Sequence, residues 1–400
     1  MTVAFAVAEF PQAALLQRFP ATKVLGINIL GWGVTICCTA AVQNFAGAVA
    51  VRVILGMFEA VISPALIIIT ASFYTKRQAT PRYGLWYCGL GAGQTIGGLV
   101  SYAAQHGDKF TAFPGWRIMM VSVGVFNLLA AITIFWFMPN NISTATFLTE
   151  EEKAYVQATL AADQSGSGKR VFRADFLKET FLDLQVWLLF ILTVLIAIPS
   201  GVITTFSSTL IRGFGFSPKE SALLGMPSGV VSVCATLLCT FLVLKRFPRW
   251  LGVIAMMVPT MIGAGLMSFL PTSNRGGVLA GIYLINCTVA PLALIYALAG
   301  TNTAGHTKRV ATNTFVAMGF GIANIIGPQT FRAEEAPGYI GAKITIFAVN
   351  GAAIVVAILL RLLYGYRNSR KSTSIVEKPE VAPEEQEMTD MTNPAFRYVY

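Results

Sequence analysis

Apolar residues in this chain run in long, nearly unbroken stretches, and polar residues are confined to the short gaps between them. Eleven stretches fall near residues 1–17, 24–43, 46–73, 83–104, 117–138, 186–209, 221–244, 250–270, 277–299, 310–330 and 342–365. A bilayer core of about 30 Å takes roughly 20 helical residues. In lipid only helices and closed barrels satisfy their own backbone, and these runs are too long and too evenly apolar for barrel strands. The pattern predicts an all-α membrane protein with about 11 transmembrane helices.

The gaps alternate in charge. One set is basic: Arg18 and Lys23; Lys76, Arg77 and Arg82; Lys153, Lys169, Arg170, Arg173 and Lys178; Lys245, Arg246 and Arg249; Lys308 and Arg309; then Arg367, Arg370 and Lys371. The other set is poorer, with nothing basic in 42–45 and then Lys109, Arg212, Lys219, Arg275 and Arg332. Basic loops stay in the cytoplasm. The long loop 139–184 and the C-terminal tail are therefore expected inside, and Met1 outside. An outside N-terminus on an odd number of crossings suggests that one helix is absent ahead of Met1. The apolar start has no basic n-region and is interrupted by Glu9, which argues against a signal peptide. The sequon Asn141-Ile142-Ser143 falls on the cytoplasmic side and is expected to carry no glycan.

The polar loop divides the spans into five and six. It carries Thr149-Glu150-Glu151-Glu152, a capping box ahead of a short surface helix, and then a flexible stretch from Ser165 to Gly168. The two groups repeat each other. Leu16-Gln17-Arg18-Phe19-Pro20 matches Leu244-Lys245-Arg246-Phe247-Pro248 at an offset of 228. Gly91-Ala92-Gly93-Gln94-Thr95-Ile96-Gly97-Gly98 matches Gly321-Ile322-Ala323-Asn324-Ile325-Ile326-Gly327-Pro328 at 230. Both matches keep the same membrane sense, as in a parallel repeat about the membrane normal. The expected organisation is a first bundle at 1–138, equivalent to helices two to six of a six-plus-six plan. A cytoplasmic loop follows at 139–185, then a six-helix bundle at 186–366 and a disordered tail at 367–400, rich in Glu and Pro.

Few ionisable residues lie well inside the spans: chiefly Glu9, Arg52 and Glu59. Each is costly in lipid unless it faces protein or water, so a functional role is the default reading. Arg52, Gly56, Glu59 and Ser63 share one helix face. Glu9 lies about 14 Å of helix rise from the turn at Arg18, near mid-membrane. An internal ion-pair network is the competing role for this trio. Gln94 and Asn324 hold equivalent repeat positions and Asn286 lies mid-span; interhelical hydrogen bonding competes with substrate contact at all of them. Helix packing is the expected role for most of Gly89, Gly91, Gly93, Gly97, Gly319, Gly321 and Gly327. Pro64, Pro199, Pro227, Pro291 and Pro328 are expected to mark kinks.

At 55% hydrophobic and 12% charged residues, the net charge of +10 reads as membrane orientation and not as a nucleic-acid footprint. All six cysteines (Cys37, Cys38, Cys88, Cys234, Cys239 and Cys287) sit in apolar spans, which argues against disulfides and zinc. His106 and His306 are expected to be solvated loop residues. No metal cluster, nucleotide loop, nucleophile motif or pore filter stands out, so neither an enzyme nor a channel is expected, and no cofactor.

Several ordered segments resemble the major facilitator superfamily, and within it the fungal anion:cation symporters of the allantoate permease type. They are Glu9-Phe10-Pro11 with Leu15-Leu16-Gln17-Arg18-Phe19; Arg52 to Ala60 with Pro64 and Phe73-Tyr74; Phe147 to Glu152; and Gly213-Phe214-Gly215-Phe216-Ser217 through Pro227-Ser228-Gly229. The family's polar first helix has no counterpart here, Gln12-Ala13 replaces a commoner small polar pair, and Asn140 replaces an acid. The resemblance implies the major facilitator fold of two pseudo-symmetric bundles. It implies proton-coupled symport of a small organic anion by alternating access, in the lipid bilayer of the plasma membrane. Under that reading Glu59, then Glu9, carries the proton, and Arg52, Gln94, Asn286 and Asn324 are substrate candidates. The loops Arg18–Lys23 and Lys245–Arg249 are candidate gates, although positive-inside charge explains most of them. Export of a fungal secondary metabolite from a biosynthetic gene cluster is the sister reading. A transport-dead receptor or regulator lacking the first helix is the alternative from another class.

Overall fold

The computed structural model describes every residue except 108–113, 164–172, 214, 246, 272–273, 331, 336–339 and 374–387. The expected flexible stretch Ser165–Gly168, the tail residues 374–387, and Phe214, Lys109, Lys169, Arg170 and Arg246 lie outside the described residues.

Helices α1 (Thr2–Arg18) and α2 (Ala21–Thr39) open the first half. They are followed by α3 (Phe45–Glu59), α4 (Ile62–Phe73), α5 (Lys76–Gly107) and α6 (Gly115–Phe137). The central loop carries α7 (Glu150–Asp163) and α8 (Ala174–Leu182). The second half holds α9 (Leu184–Gly213), α10 (Pro218–Leu244), α11 (Arg249–Phe269), α12 (Arg275–Ile285), α13 (Ala290–Asn302), α14 (His306–Gln329) and α15 (Ile340–Thr373). Among the described residues nine helical segments are long and apolar enough to cross a membrane. The remaining two predicted stretches are helical as well. However, α1 has only 17 residues, and α5 is diluted by glycine and by Gln94 and Thr95.

Two of the crossings are broken, and both breaks have a proline beside them. The span 45–73 divides at Ala60–Val61, with Pro64 in the first turn of α4. The span 275–302 divides at a 3-10 turn, Asn286–Val289, with Pro291 in the first turn of α13. Proline cannot donate to the carbonyl four residues back, and its ring crowds that carbonyl. At the second break Thr288 Oγ1 donates to Ile196 O on α9 at 2.6 Å. Pro64 and Pro291 are 227 residues apart, close to the sequence offset, so the breaks are equivalent features of the two halves.

The turns repeat too. Phe19 leads into Pro20, the N-cap of α2 (φ −57°, ψ 128°), and Phe247 into Pro248, the N-cap of α11 (φ −61°, ψ 130°). Helix starts are capped where the sequence supplies a short polar side chain. Asn44 accepts from Gly47 N at 2.7 Å ahead of α3, and Asn274 from Gly277 N at 3.1 Å ahead of α12. The expected box at α7 is formed: Glu152 Oε2 accepts from Thr149 N at 2.9 Å, and Thr149 Oγ1 accepts from Glu152 N at 3.3 Å.

Helices α2 and α6 pack side by side in the first half, as α11 and α15 do in the second. The two most extensive contacts between the halves run α1 along α14, and α5 along α10. Gly91 makes the second contact close, facing Gly229 O and Val233 on α10; its repeat mate Gly321 faces Phe5 on α1. Gly319 and Gly327 receive α9, where an added Cβ would lie 3.1 Å from Phe190 O and 2.7 Å from Ile198 O respectively. Their first-half mates do not behave as expected. A Cβ added at Gly89 or Gly97 would meet no described atom within 4 Å.

The tail also departs from expectation. Helix α15 continues to Thr373, and the segment Thr389–Tyr400 folds back onto the second half instead of remaining free. Its aromatic residues Phe396, Tyr398 and Tyr400 pack against the core, which the Glu- and Pro-rich composition of the preceding stretch conceals. His106 lies in the last turn of α5, with Nδ1 3.0 Å from Tyr102 O, and His306 opens α14, so neither stands in a loop.

Candidate functional site

Glu9 lies on α1, one of the helices that join the two halves. Its side chain is 0% exposed, and neither carboxylate oxygen has a hydrogen-bond partner among the described residues. Pro11 lies in the same helix and leaves the carbonyl of Val7 without its usual helical donor. One turn on, Gln12 ties α1 to its neighbours: Nε2 donates to Asn28 Oδ1 on α2 at 2.7 Å and to Met57 O on α3 at 3.1 Å.

Tyr87 of α5 and Tyr296 of α13 meet across the two halves. These belong to an aromatic group built from both halves. Tyr83, Trp86 and Tyr87 stand at i, i+3 and i+4, on one face of α5. Trp86 and Tyr87 stack with centroids 4.3 Å apart, and Tyr296 of α13 closes on Tyr87 at 5.8 Å and on Trp86 at 6.5 Å. Trp86 Nε1 is buried without a described partner. A buried carboxyl and a buried indole N–H, each without a described partner, are expensive in a purely structural core. They offer a proton-binding group and a free donor, and the rings an aromatic wall, where the two bundles meet.

The other sequence candidates are scattered. Arg52 is exposed on α3, Glu59 is half-buried two turns away, and no ion pair joins them. The shared face therefore gives no ion pair, the competing role for these residues. Asn286 Nδ2 donates to Ile282 O at 2.9 Å and Asn324 Nδ2 to Phe320 O at 2.8 Å. Both bonds stay within their own helix, so the expected interhelical role is not seen. An amide four residues beyond a carbonyl reaches back to it more readily than across a helix gap. Asn324 nonetheless lies against α9, with Oδ1 3.3 Å from where a Cβ on Gly201 would stand. Gln94, its repeat mate, is half-exposed on α5.

Sequence reasoning missed Tyr83, Trp86, Tyr87 and Tyr296. The i, i+3, i+4 spacing on α5 was visible, but the partner on α13 lies more than two hundred residues away in sequence. Among the described residues no group of three or more His, Cys, Asp and Glu is placed to hold a metal ion.

The family model for the Major Facilitator Superfamily matches residues 1–328. The chain belongs to the major facilitator superfamily. It is accordingly an integral multi-pass membrane protein and a secondary transporter of small molecules rather than an enzyme. The chain is 35% identical to the thiamine pathway transporter THI73 of Saccharomyces cerevisiae, over 96% of this chain and 74% of that one. It is 30% identical to the allantoate permease of the same yeast, over 94% and 72%. Among solved structures it is similar to the proton:xylose symporter XylE, with a TM-score of 0.66 and 13% identity over 90% of this chain and 83% of that one. At that identity the likeness speaks for the fold alone. The paired bundles, the matching breaks and the matching Phe-Pro turns are what this family's internal repeat requires.

Proposed function

We propose that this transporter carries a small organic anion together with protons, by alternating access about the α1–α14 and α5–α10 seam. The observation that carries the reading is Glu9, fully buried and without a described hydrogen-bond partner, on the helix α1 that packs along α14 of the other half. A carboxyl there cannot hold a bare charge cheaply. Its proton must therefore come and go as the halves open to one side or the other. Glu9 takes the coupling role ahead of Glu59, which lies nearer the exposed Arg52.

The aromatic wall of Trp86, Tyr87 and Tyr296 packs the apolar body of the solute, and the indole N–H of Trp86 donates to its oxygen atoms. Arg52 draws the anion in, because an arginine stays charged at any accessible pH. Asn286, Asn324 and Gln94 keep amide groups for the same solute. Basic loops put the face bearing α7, α8 and the two Phe-Pro turns in the cytoplasm. A relative named allantoate permease supports an anionic solute.

The test is uptake of a labelled carboxylate panel, allantoate included, into proteoliposomes under an imposed pH gradient. Accumulation that follows the gradient and collapses with a protonophore is expected. Uptake indifferent to the gradient, or confined to cations and neutral solutes, contradicts the reading.

A further inference from the structure

The segment Thr389–Tyr400 makes contacts of a kind a loose tail does not make. Two asparagines grip its backbone from opposite sides. Asn302, ending α13, donates to Val399 O at 2.8 Å and accepts from Val399 N at 2.7 Å. Asn368 on α15 does the same to Tyr398, at 2.9 Å in each direction. Tyr398 stacks on Tyr364, and Tyr400 lies under the guanidinium of Arg361 at 3.6 Å. Tyr400 O accepts from Arg249 N at 3.1 Å, satisfying a donor at the start of α11 that has no partner within the helix.

A buried charge cluster fixes the other end of the segment. Lys308 at the start of α14 is 0% exposed and contacts Glu179 at 2.8 Å, Asp183 at 2.7 Å and Asp390 at 2.9 Å. Arg367 on α15 reaches Asp183 at 2.6 Å. Lys371 donates to the carbonyls of Asp390 and Asn393. Two cations, Lys308 and Arg367, thus meet three carboxylates, and the segment supplies one of the carboxylates. Thr389 donates to Glu179 on α8 at 3.0 Å, and Tyr398 OH donates to Asp390 Oδ2 at 2.8 Å. Burial pushes the Asp183 carboxyl up, but Lys308 and Arg367 outweigh it and hold it below the usual range. Burial wins at Asp390, whose carboxyl lies above that range although Lys308 opposes the shift.

All these partners lie in the second half or on α8; none lies in the first half. We propose that Thr389–Tyr400 is a clasp that fastens α8 and the loop-face ends of α9, α11, α13, α14 and α15 into one rigid body. Helix α8, although part of the central loop, then moves with the second half. The clasp does not depend on which solute is carried.

Hydrogen exchange on the full chain in nanodiscs tests it, comparing wild type with Asp390→Ala and the gentler Tyr398→Phe. In the wild type, amides of 389–400 are expected to exchange as slowly as those of 302–308. Asp390→Ala is expected to speed exchange by about tenfold or more in the clasp, in 174–182 and in 302–308 together, while α2 and α6 stay unchanged. Tyr398→Phe should give the same pattern, weaker. Free-chain exchange of 389–400 in the wild type overturns the proposal. So does loosening of the clasp alone, with 174–182 and 302–308 unmoved in both variants.

Discussion

The two halves share a plan but not a degree of packing. In the second, α9 lies against both α14 and α15, and 72% of its apolar span is buried. In the first, α6 crosses with only 11% of its span buried, and Gly89 and Gly97, the mates of Gly319 and Gly327, face no described neighbour. The glycines are equivalent in sequence, so they do not by themselves hold a bundle together. They allow a close approach, and the energy comes from the helix that makes it. Where both halves keep their partner, as at Gly91 and Gly321 on the seam, both glycines pack. The second half is also bolted at its loop face by the Lys308 cluster, whereas the first half has the exposed Gln78 at the equivalent place, 230 residues earlier.

The strongest way to break this contrast is at the bolt. Lys308→Ala removes the buried cation that Asp183 and Asp390 share, leaving Arg367 against both, and is expected to cost about 3–5 kcal/mol. Gln78→Ala is expected to stay within about 0.5 kcal/mol. Thermal unfolding in detergent separates them; equal melting shifts would deny the asymmetry. Next comes Gly327→Leu, whose first side-chain carbon would stand 2.7 Å from Ile198 O. Overpacking there is expected to cost about 1–3 kcal/mol. Gly97→Leu meets open space and should leave the melt of this 400-residue chain nearly unmoved. A large loss at Gly97 would mean that a helix occupies that face. Smaller still, Thr288→Val removes the bond to Ile196 O that ties the second broken span to α9, at about 1 kcal/mol. Asn44→Ala removes the cap of the first broken span at a similar cost of about 1 kcal/mol. A melt that ranks Asn44→Ala above Lys308→Ala would reverse the account of where the stability sits.

Much of this was legible in the sequence because the bilayer imposes long-range order on local patterns. Span lengths, the repeat and the box at Thr149–Glu152 follow from hydropathy, spacing and capping chemistry, which need no tertiary information. The halting of two spans beside Pro64 and Pro291 follows from proline's missing donor. What escaped depends on contacts between distant segments. Tyr87 and Tyr296 meet only once the halves are joined. The docked tail was hidden because a Glu- and Pro-rich stretch precedes it, while Phe396, Tyr398 and Tyr400 carry the docking. Arg52 and Glu59 share a helix face, yet a shared face does not fix how two side chains turn, and they do not pair. Asn286 and Asn324 satisfy their own helices before any neighbour.

The central claim is that the buried carboxyl of Glu9 couples solute movement to protons. The most direct measurement compares the wild type with Glu9→Gln in proteoliposomes, following both net accumulation under a pH gradient and solute exchange with no gradient. The account predicts that Glu9→Gln keeps exchange and loses gradient-driven accumulation. Accumulation by Glu9→Gln at the wild-type level would contradict it.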